Sequence, residues 1–272
     1  MTIAQALKKA TFLLQDKIPR PRFEAELLLA HYLGVERVYL SQKDNIKIEK
    51  SENYFALVQR RAKSEPYEYI TQKVSFYDTE LYVDDRVLIP RPETEMLVDE
   101  AKKIIEQEEI IKIAEIGIGS GAVSIMLARM FPKIQIVATD ISEDALSVAK
   151  INRDNFALND RITLVCADLL QGVKEDFEMI VSNPPYIANG CKLECNVVDY
   201  EPHAALFGGE RGYELLKAII AQSQVKGARF LVCEMGYDQK EPIERIFTQI
   251  GVKYHRFYKD LAGFDRGFVV QF

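Results

Sequence analysis

The chain has 272 residues, a formal charge of −6 at pH 7 and a hydrophobic share of 48%. That length accommodates one large domain and a smaller one, and an acidic balance without any Lys/Arg-rich run excludes non-specific attraction to phosphate backbones. No apolar run approaches the ~18 residues of a membrane span, and Met1-Thr2-Ile3-Ala4-Gln5 does not resemble a signal peptide, so a cytoplasmic protein with no membrane contact is expected.

Residues 1–72 read as helices. Ile3, Leu7, Ala10 and Leu14 recur at helical spacing, as do Leu27, Leu28, His31 and Tyr32, with Pro19-Arg20-Pro21 between the two runs. A third helical pattern covers Tyr54 to Lys63 and ends before Pro66. This block carries no phosphate loop and no paired carboxylates on one face, and reads as a helical cap or a partner-docking module. Val74-Ser75-Phe76-Tyr77, a turn at Asp78-Thr79 and Glu80-Leu81-Tyr82-Val83 predict a β-hairpin. The hairpin and the connection after it, residues 73–90, form a linker to a domain spanning 91–272. Prolines stiffen the segment Val87-Leu88-Ile89-Pro90-Arg91-Pro92-Glu93-Thr94-Glu95, and a helix is expected from Thr94 to about Gln107.

The apolar run Ile110 to Ala114 predicts the first core strand. It is followed by the loop Glu115-Ile116-Gly117-Ile118-Gly119-Ser120-Gly121 and a helical pattern from Ala122 to Met130. Strand, glycine turn and helix form the context in which such a loop holds a ligand. The spacing is Gly-x-Gly-x-Gly, unlike the Gly-x-Gly-x-x-Gly of dinucleotide binders, and glycines there let the backbone approach a ligand closely. A carboxylate at Glu115 repels a pyrophosphate and suits a sulfonium or ammonium, which favours S-adenosylmethionine over a nicotinamide cofactor. A tight structural turn is the competing reading.

A second strand, Ile134 to Thr139, runs into Asp140, about twenty residues past the glycines, where an acidic residue binds ribose hydroxyls in βαβ nucleotide sites. Asp140 reads equally as the cap of the helix Glu143 to Ile151, although Ser142 would cap it as well. A third strand, Ile162 to Cys166, ends at Ala167-Asp168-Leu169-Leu170. Asp168 is either an acceptor for an adenine amino group or a solvated turn residue. A fourth, Phe177 to Ser182, ends at Asn183-Pro184-Pro185-Tyr186. Two prolines remove two backbone donors and fix φ, and the residue before a proline stays extended. An amide and a carbonyl then face a cleft beside an aromatic ring, which suits a planar group bearing an NH2.

The excursion from this turn to Gly212 is too long for a plain connection. It carries Glu201-Pro202-His203-Ala204-Ala205-Leu206-Phe207-Gly208-Gly209, and reads as a lid or a substrate-binding element. A helix at Tyr213–Gln224, a strand at Arg229–Glu234, a helix at Gln239–Ile250 and strands near Lys253–Tyr258 and Gly267–Phe272 complete an α/β pattern with a mostly parallel sheet. Four cysteines are too few and too irregular for a disulfide framework. Cys191 and Cys195 lie close, but no neighbouring Cys or His completes a zinc set, and a reduced, metal-free protein is expected.

Val87 to Glu95, the Gly117–Gly121 loop, Asn183-Pro184-Pro185-Tyr186-Ile187, and Glu201-Pro202 with Ala205-Leu206 and Gly208-Gly209 resemble the release-factor glutamine methyltransferases, the PrmC/HemK family. The likeness extends to Glu65-Pro66 with Tyr69-Ile70-Thr71 and to Lys259-Asp260-Leu261-Ala262-Gly263 with Asp265-Arg266. It implies a seven-stranded, mostly parallel Rossmann-like methyltransferase sheet with helices on both faces, behind an amino-terminal helical domain that helps hold the substrate. The implied reaction is S-adenosylmethionine-dependent N5-methylation of the glutamine in the Gly-Gly-Gln motif of class 1 peptide chain release factors. The implied cofactor set is Glu115, Gly117, Ile118, Gly119, Ser120, Gly121, Asp140, Ile141, Asp168, Leu169 and Asn183. Asn183, Pro184, Pro185 and Tyr186 would receive the glutamine, with Asn183, Pro184 and Tyr186 as the catalytic residues. Glu115 stands where many members have Asp, and Phe207 interrupts the Ala-Leu-x-Gly-Gly segment. A monomer with no nucleic-acid partner is expected. The alternatives are a glutamine methyltransferase acting on a ribosomal protein, an adenine-N6 nucleic-acid methyltransferase, and a cofactor-binding module without turnover.

Overall fold

The computed structural model describes residues 1–272, the side chain of Cys195 excepted; the expectation about a Cys191–Cys195 pair therefore lies outside the described residues. Contacts divide the chain into two units, Met1–Lys73 with Glu194–Tyr200, and Val74–Leu193 with Glu201–Phe272.

The first unit contains α1 (Ile3–Leu14), α2 (Pro21–Leu33), α3 (Arg37–Gln42), α4 (Ser51–Arg61) and α5 (Tyr67–Thr71). Thr2 and Gln5 form a reciprocal capping box at the start of α1, with Gln5 N donating to Thr2 Oγ1 at 3.3 Å and Thr2 N donating to Gln5 Oε1 at 3.0 Å. Pro21 occupies the first turn of α2 and Gly34, at φ +66°, closes it. Ile3, Leu7 and Leu14 pack with Leu28, Leu29, Tyr54 and Val58 in the core of this unit. The buried stripe of α2 differs from the predicted one: Ala25, Leu28, Leu29 and Ala30 are inside and His31 is exposed. A helix with Leu27-Leu28-Leu29 in succession is apolar on several sides, so its period does not select a face. α3 and α5, with 6 and 5 residues, are too short to show a period and were not predicted. The short α9, Cys195–Val198, belongs to this unit, where the Tyr200 hydroxyl donates to the Lys63 carbonyl at 2.8 Å.

The second unit opens with the hairpin of β1 (Val74–Phe76) and β2 (Thr79–Leu81). Its turn is Tyr77-Asp78, one residue earlier than predicted. Tyr77 adopts φ +53° there, and its N–H donates to Glu95 Oε1 at 2.7 Å. There follow α6 (Thr94–Glu108), β3 (Lys112–Ile116), α7 (Ala122–Met130), β4 (Gln135–Asp140), α8 (Glu143–Asn155), β5 (Ile162–Cys166), β6 (Met179–Ser182), β7 (Ile187–Ala188), β8 (Phe207–Gly209), α10 (Glu214–Val225), β9 (Phe230–Glu234), α11 (Lys240–Ile250), β10 (Tyr254–Lys259) and β11 (Asp265–Gln271).

Seven strands form one sheet in the order β10-β11-β9-β6-β3-β4-β5. β9, β6, β3, β4 and β5 are parallel, and β11 runs antiparallel to both β9 and β10. This is the predicted mostly parallel Rossmann-like sheet. All four residues of β6 are buried, the continuous apolar run of a strand covered on both faces. Chain order reverses at β3, with β4 and β5 on one side and β6 on the other, so the carboxyl ends of β3 and β6 flank the point where open α/β sheets bind ligands.

β3 begins two residues later than the apolar run suggested, because the Glu178 carboxylate accepts from both Ile111 N and Lys112 N and pins the start of pairing there. Glu115 consequently lies inside the strand and is buried, not at the head of the loop. Among the described residues no helix is long and apolar enough to cross a membrane.

Candidate active site

The loop between β3 and α7 turns on three glycines with positive φ: Gly117 at +75°, Gly119 at +53° and Gly121 at +90°. Glycine adopts these angles without a Cβ clash. The N–H groups of Gly117 and Ile118 both donate to the Thr139 carbonyl, at 2.8 and 3.0 Å, which ties the loop to the end of β4. Gly119 N donates to Asp140 Oδ2 at 3.0 Å, while Ser142 N donates to Asp140 Oδ1 at 3.0 Å. Ser142, not Asp140, caps α8: its hydroxyl accepts from Ala145 N at 3.2 Å.

Beneath the loop, Glu115 Oε2 accepts from Ser124 N at 3.0 Å and from the Ser124 hydroxyl. Burial pushes its carboxyl up to about 8, against the Ser124 hydrogen bonds, and the charge of Asp140 adds to the rise. Glu115 thus anchors the first turns of α7 and is held close to neutrality at pH 7.

A cleft of 280 Å³ opens above these groups. Glu115, Asp140 and Asp168 contribute carboxylates to its lining, Ile118, Ile141, Leu169, Leu215 and Pro90 its apolar walls, and Arg86 its one basic side chain. Arg86 is spent on Asp84, at 2.6 Å. Such a lining disfavours a pyrophosphate and fits a ligand with hydroxyls, an apolar ring and a cationic end. Ile141 is 69% exposed at the rim, an apolar surface open to a purine. A carboxylate has roughly four acceptor positions, so Asp140 retains capacity for ribose hydroxyls beyond its two backbone donors. Asp168 is exposed and accepts from Gln171 Nε2 at 3.0 Å. The residues present fit S-adenosylmethionine: Asp140 could hold the ribose, Ile141, Asp168 and Leu169 the adenine, and the glycine loop the amino-acid end, while Glu115, near neutrality, serves α7 and not the cationic end.

On the far side of the switch point stands the Asn183–Tyr186 turn. Asn183 Nδ2 donates to Thr94 Oγ1 at 3.0 Å, and the Thr94 hydroxyl donates to Glu234 Oε2 at 2.9 Å. The other carboxylate oxygen, Glu234 Oε1, accepts from the Tyr186 hydroxyl at 3.0 Å. Gln239 Nε2 donates to the Tyr186 carbonyl at 2.7 Å. Glu234 is 1% exposed, and burial pushes its carboxyl up to about 7 despite the Thr94 and Tyr186 hydrogen bonds. Burial, followed by the Glu234 charge and hydrogen bond, raises the Tyr186 phenol. The 201–209 excursion backs this turn: β8 pairs with β7, and a Cβ on Gly208 would meet the Pro185 carbonyl oxygen at 2.3 Å.

Of the residues read as cofactor-binding, Glu115, Gly117, Ile118, Gly119, Ser120, Asp140, Ile141, Asp168, Leu169 and Asn183 line the cleft, and Gly121 does not. Gly121 packs against Ile125 of α7, 3.1 Å from where its Cβ would lie. Asn183 and Pro185 line the cleft; Pro184 is buried and Tyr186 packs on the sheet core. Thr94, Glu234 and Gln239 also belong to this turn, and no sequence motif singles out their part in it. Thr94 sits within the quoted Pro-Glu-Thr-Glu segment, where a hydroxyl at a helix start reads locally as a cap, and Glu234 ends a strand that reads only as core.

Two comparisons define the class of protein. A model of the methyltransferase small domain matches residues 93–200. The hMettl16 catalytic domain, solved in complex with MAT2A 3′UTR hairpin 1, superposes with a TM-score of 0.59 over 95% of this chain and 92% of its own, at 17% identity, a likeness of fold alone. The sheet is that of a methyltransferase, and the methyl donor of this class is S-adenosylmethionine. The model of the PrmC N-terminal domain matches residues 5–71. The release factor glutamine methyltransferase of Clostridium acetobutylicum is 34% identical over 276 residues, 98% of this chain and 97% of its own. That of Koribacter versatilis is 35% identical over 255 residues, 90% of each, and that of Dictyoglomus turgidum 39% over 237 residues, 84% of each. The chain belongs to the release factor glutamine methyltransferase family and is an S-adenosylmethionine-dependent protein glutamine methyltransferase.

Proposed function

We propose that the protein methylates the side-chain nitrogen, N5, of the glutamine in the Gly-Gly-Gln motif of class 1 peptide chain release factors. The observation that carries this reading is the tie between Asn183 Nδ2 and Thr94. With its NH2 turned to Thr94, the Asn183 amide presents its acceptor, Oδ1, to a ligand in the cleft, and an acceptor is what an incoming NH2 requires.

When bound, S-adenosylmethionine supplies an electrophilic methyl group on sulfur. A carboxamide nitrogen is a poor nucleophile because its lone pair is delocalised, the same coupling that gives a peptide bond a rotation barrier of about 18–20 kcal/mol. Asn183 Oδ1 and the Pro184 carbonyl each accept one N–H of the substrate amide. They fix its rotation and stabilise the positive charge that grows on nitrogen as the N–C bond forms and the methyl–sulfur bond breaks, a charge removed when the nitrogen sheds one proton to solvent. A preorganised contact of this kind is typically worth about 2.7–4 kcal/mol, and orientation contributes up to roughly 7–11 kcal/mol. Pro184 and Pro185 make the receptacle stiff, so little reorganisation is needed. Tyr186 packs on the sheet core behind the turn and ties it to Glu234. The helical residues 1–72 serve to dock the release factor, and the protein acts as a monomer in the cytoplasm.

Relatives that align along nearly the whole chain and bear the name release factor glutamine methyltransferase support this function. The test is transfer of a radiolabelled methyl group to a purified release factor and to its variant with the Gly-Gly-Gln glutamine replaced by alanine. Label in the first and none in the second is expected. Label in both, or only in a ribosomal protein or in DNA, sinks the proposal.

A further inference from the structure

Thr94 and Glu234 are buried beside the Asn183–Tyr186 turn at 4% and 1% exposure. Thr94 is the first residue of α6, yet no side chain caps that helix. The hydroxyl is used elsewhere: it donates to Glu234 at 2.9 Å and accepts from Asn183 Nδ2 at 3.0 Å. A threonine hydroxyl has a single proton. Once that proton is given to a carboxylate, only lone pairs remain to face Asn183. The second Glu234 oxygen accepts from the Tyr186 hydroxyl at 3.0 Å, so the ionised carboxylate sets the direction of two hydroxyls.

The consequence falls on Asn183. Its amide has two orientations of nearly equal shape, related by a half-turn about its last torsion. In one, Nδ2 meets the Thr94 lone pairs and Oδ1 is left for the cleft. In the other, an NH2 would be presented to the cleft, donor against donor for a carboxamide substrate. Packing cannot distinguish two groups of equal size; the direction of a hydrogen-bond chain can. A buried carboxylate whose hydrogen-bond partners are two hydroxyls, with Arg266 acting on it only through space, is costly to keep. A neutral side chain would fill the same space without that cost.

We propose that Glu234 and Thr94 are positioning residues for methyl transfer: carboxylate, hydroxyl and amide form a chain of fixed direction that keeps the Asn183 acceptor turned to the substrate. The inference rests on the reading of Asn183 as the receptor of the glutamine amide. Glu234 does not line the cleft, and Thr94, in its wall, acts through Asn183. In Glu234→Gln, the new NH2 can donate to Thr94 and reverse the chain. In Thr94→Val, an isostere without the hydroxyl, the chain is cut; Thr94→Ser restores it.

The experiment uses the full chain. It measures kcat and KM on a purified release factor, calorimetric affinity for S-adenosylhomocysteine, and exchange of the Asn183 side-chain NH2 by nitrogen-15 NMR without substrate. Thr94→Val and Glu234→Gln are each expected to lower kcat roughly tenfold or more, the scale of a buried polar group left unpaired. Affinity for S-adenosylhomocysteine should stay within about twofold, the sign of an interaction used in the transition state only. Thr94→Ser should recover most of the lost rate, and Asn183 NH2 exchange should quicken in Thr94→Val. Undiminished kcat in folded Thr94→Val and Glu234→Gln, or unaltered Asn183 exchange in both, overturns the inference. If Thr94→Val does not fold, the Glu234→Gln measurements decide alone. A wild-type protein inactive on the release factor would overturn the substrate reading instead, because Asn183 exchange is measured without any substrate and still reports on the chain.

Discussion

Arg91 and Glu201, 110 residues apart in the chain, form an ion pair in which the carboxylate is 1% exposed and the guanidinium 36%. The other Glu201 oxygen accepts from Ile89 N at 3.1 Å. The proline-stiffened segment before α6 is thereby fastened to the start of the excursion that carries Pro202, Ala204 and Ala205 to the wall of the cleft. Arg91→Ala leaves a buried carboxylate with one backbone donor. A loss of stability of about 1–3 kcal/mol is expected, toward the lower end because Arg91 is partly solvated. Affinity for S-adenosylhomocysteine should fall with it. Urea denaturation and calorimetry on the same preparation check both; undiminished affinity would mean the excursion keeps its place without the pair.

Asn183→Ala removes the acceptor and leaves the Thr94 hydroxyl in place. The expected loss is in kcat, by about 10²–10³ on the scale of a lost oxyanion-type contact, with cofactor affinity much less affected. Single-turnover transfer to the release factor, beside a direct binding measurement, separates the two. A variant with comparable turnover would remove Asn183 from the mechanism.

Gly208→Ala places a methyl group 2.3 Å from the Pro185 carbonyl oxygen and 2.5 Å from that of Gly212. Both obstacles are backbone, so the excursion or the Asn183–Tyr186 turn must move. Overpacking of this kind costs about 1–3 kcal/mol. Lower melting temperature and lower kcat are expected together, and a crystal structure of the variant should show β8 displaced from β7.

Stability should depend on pH through Glu115. In the fold its carboxyl is raised from the usual 4.5 to about 8 by burial, with Ser124 opposing the rise and Asp140 adding to it. The folded chain therefore binds more protons than the unfolded chain between these values, and stability falls as pH rises through that window, levelling off above it. On the order of a few kcal/mol is at stake. Denaturation midpoints at several pH values check the sign, and Glu115→Gln, which cannot titrate, should make the profile shallower, Glu234, raised to about 7, supplying the remainder.

How much of this was legible before the structure depends on distance along the chain. Ala122–Met130 was read with its bounds intact because the Gly-x-Gly-x-Gly spacing and the helical period meet there. β3 was misplaced by two residues because an apolar run has no internal mark of register; the Glu178 carboxylate supplies that mark from 67 residues away. Helical spacing groups His31 with the apolar face of α2, yet it is exposed, because three successive leucines leave the face undetermined.

The amino-acid order by itself determined the alternation of strand and helix, the loop glycines and the stiff Asn-Pro-Pro-Tyr corner, since periodicity, φ preference and proline sterics act between neighbours. Tertiary structure alone decided that Thr94 and Glu234, 140 residues apart, meet beside Asn183, and that Glu115 serves α7 from within a strand. Hydrogen-bond direction in a buried network depends on which groups are brought together in space, and no local pattern encodes it.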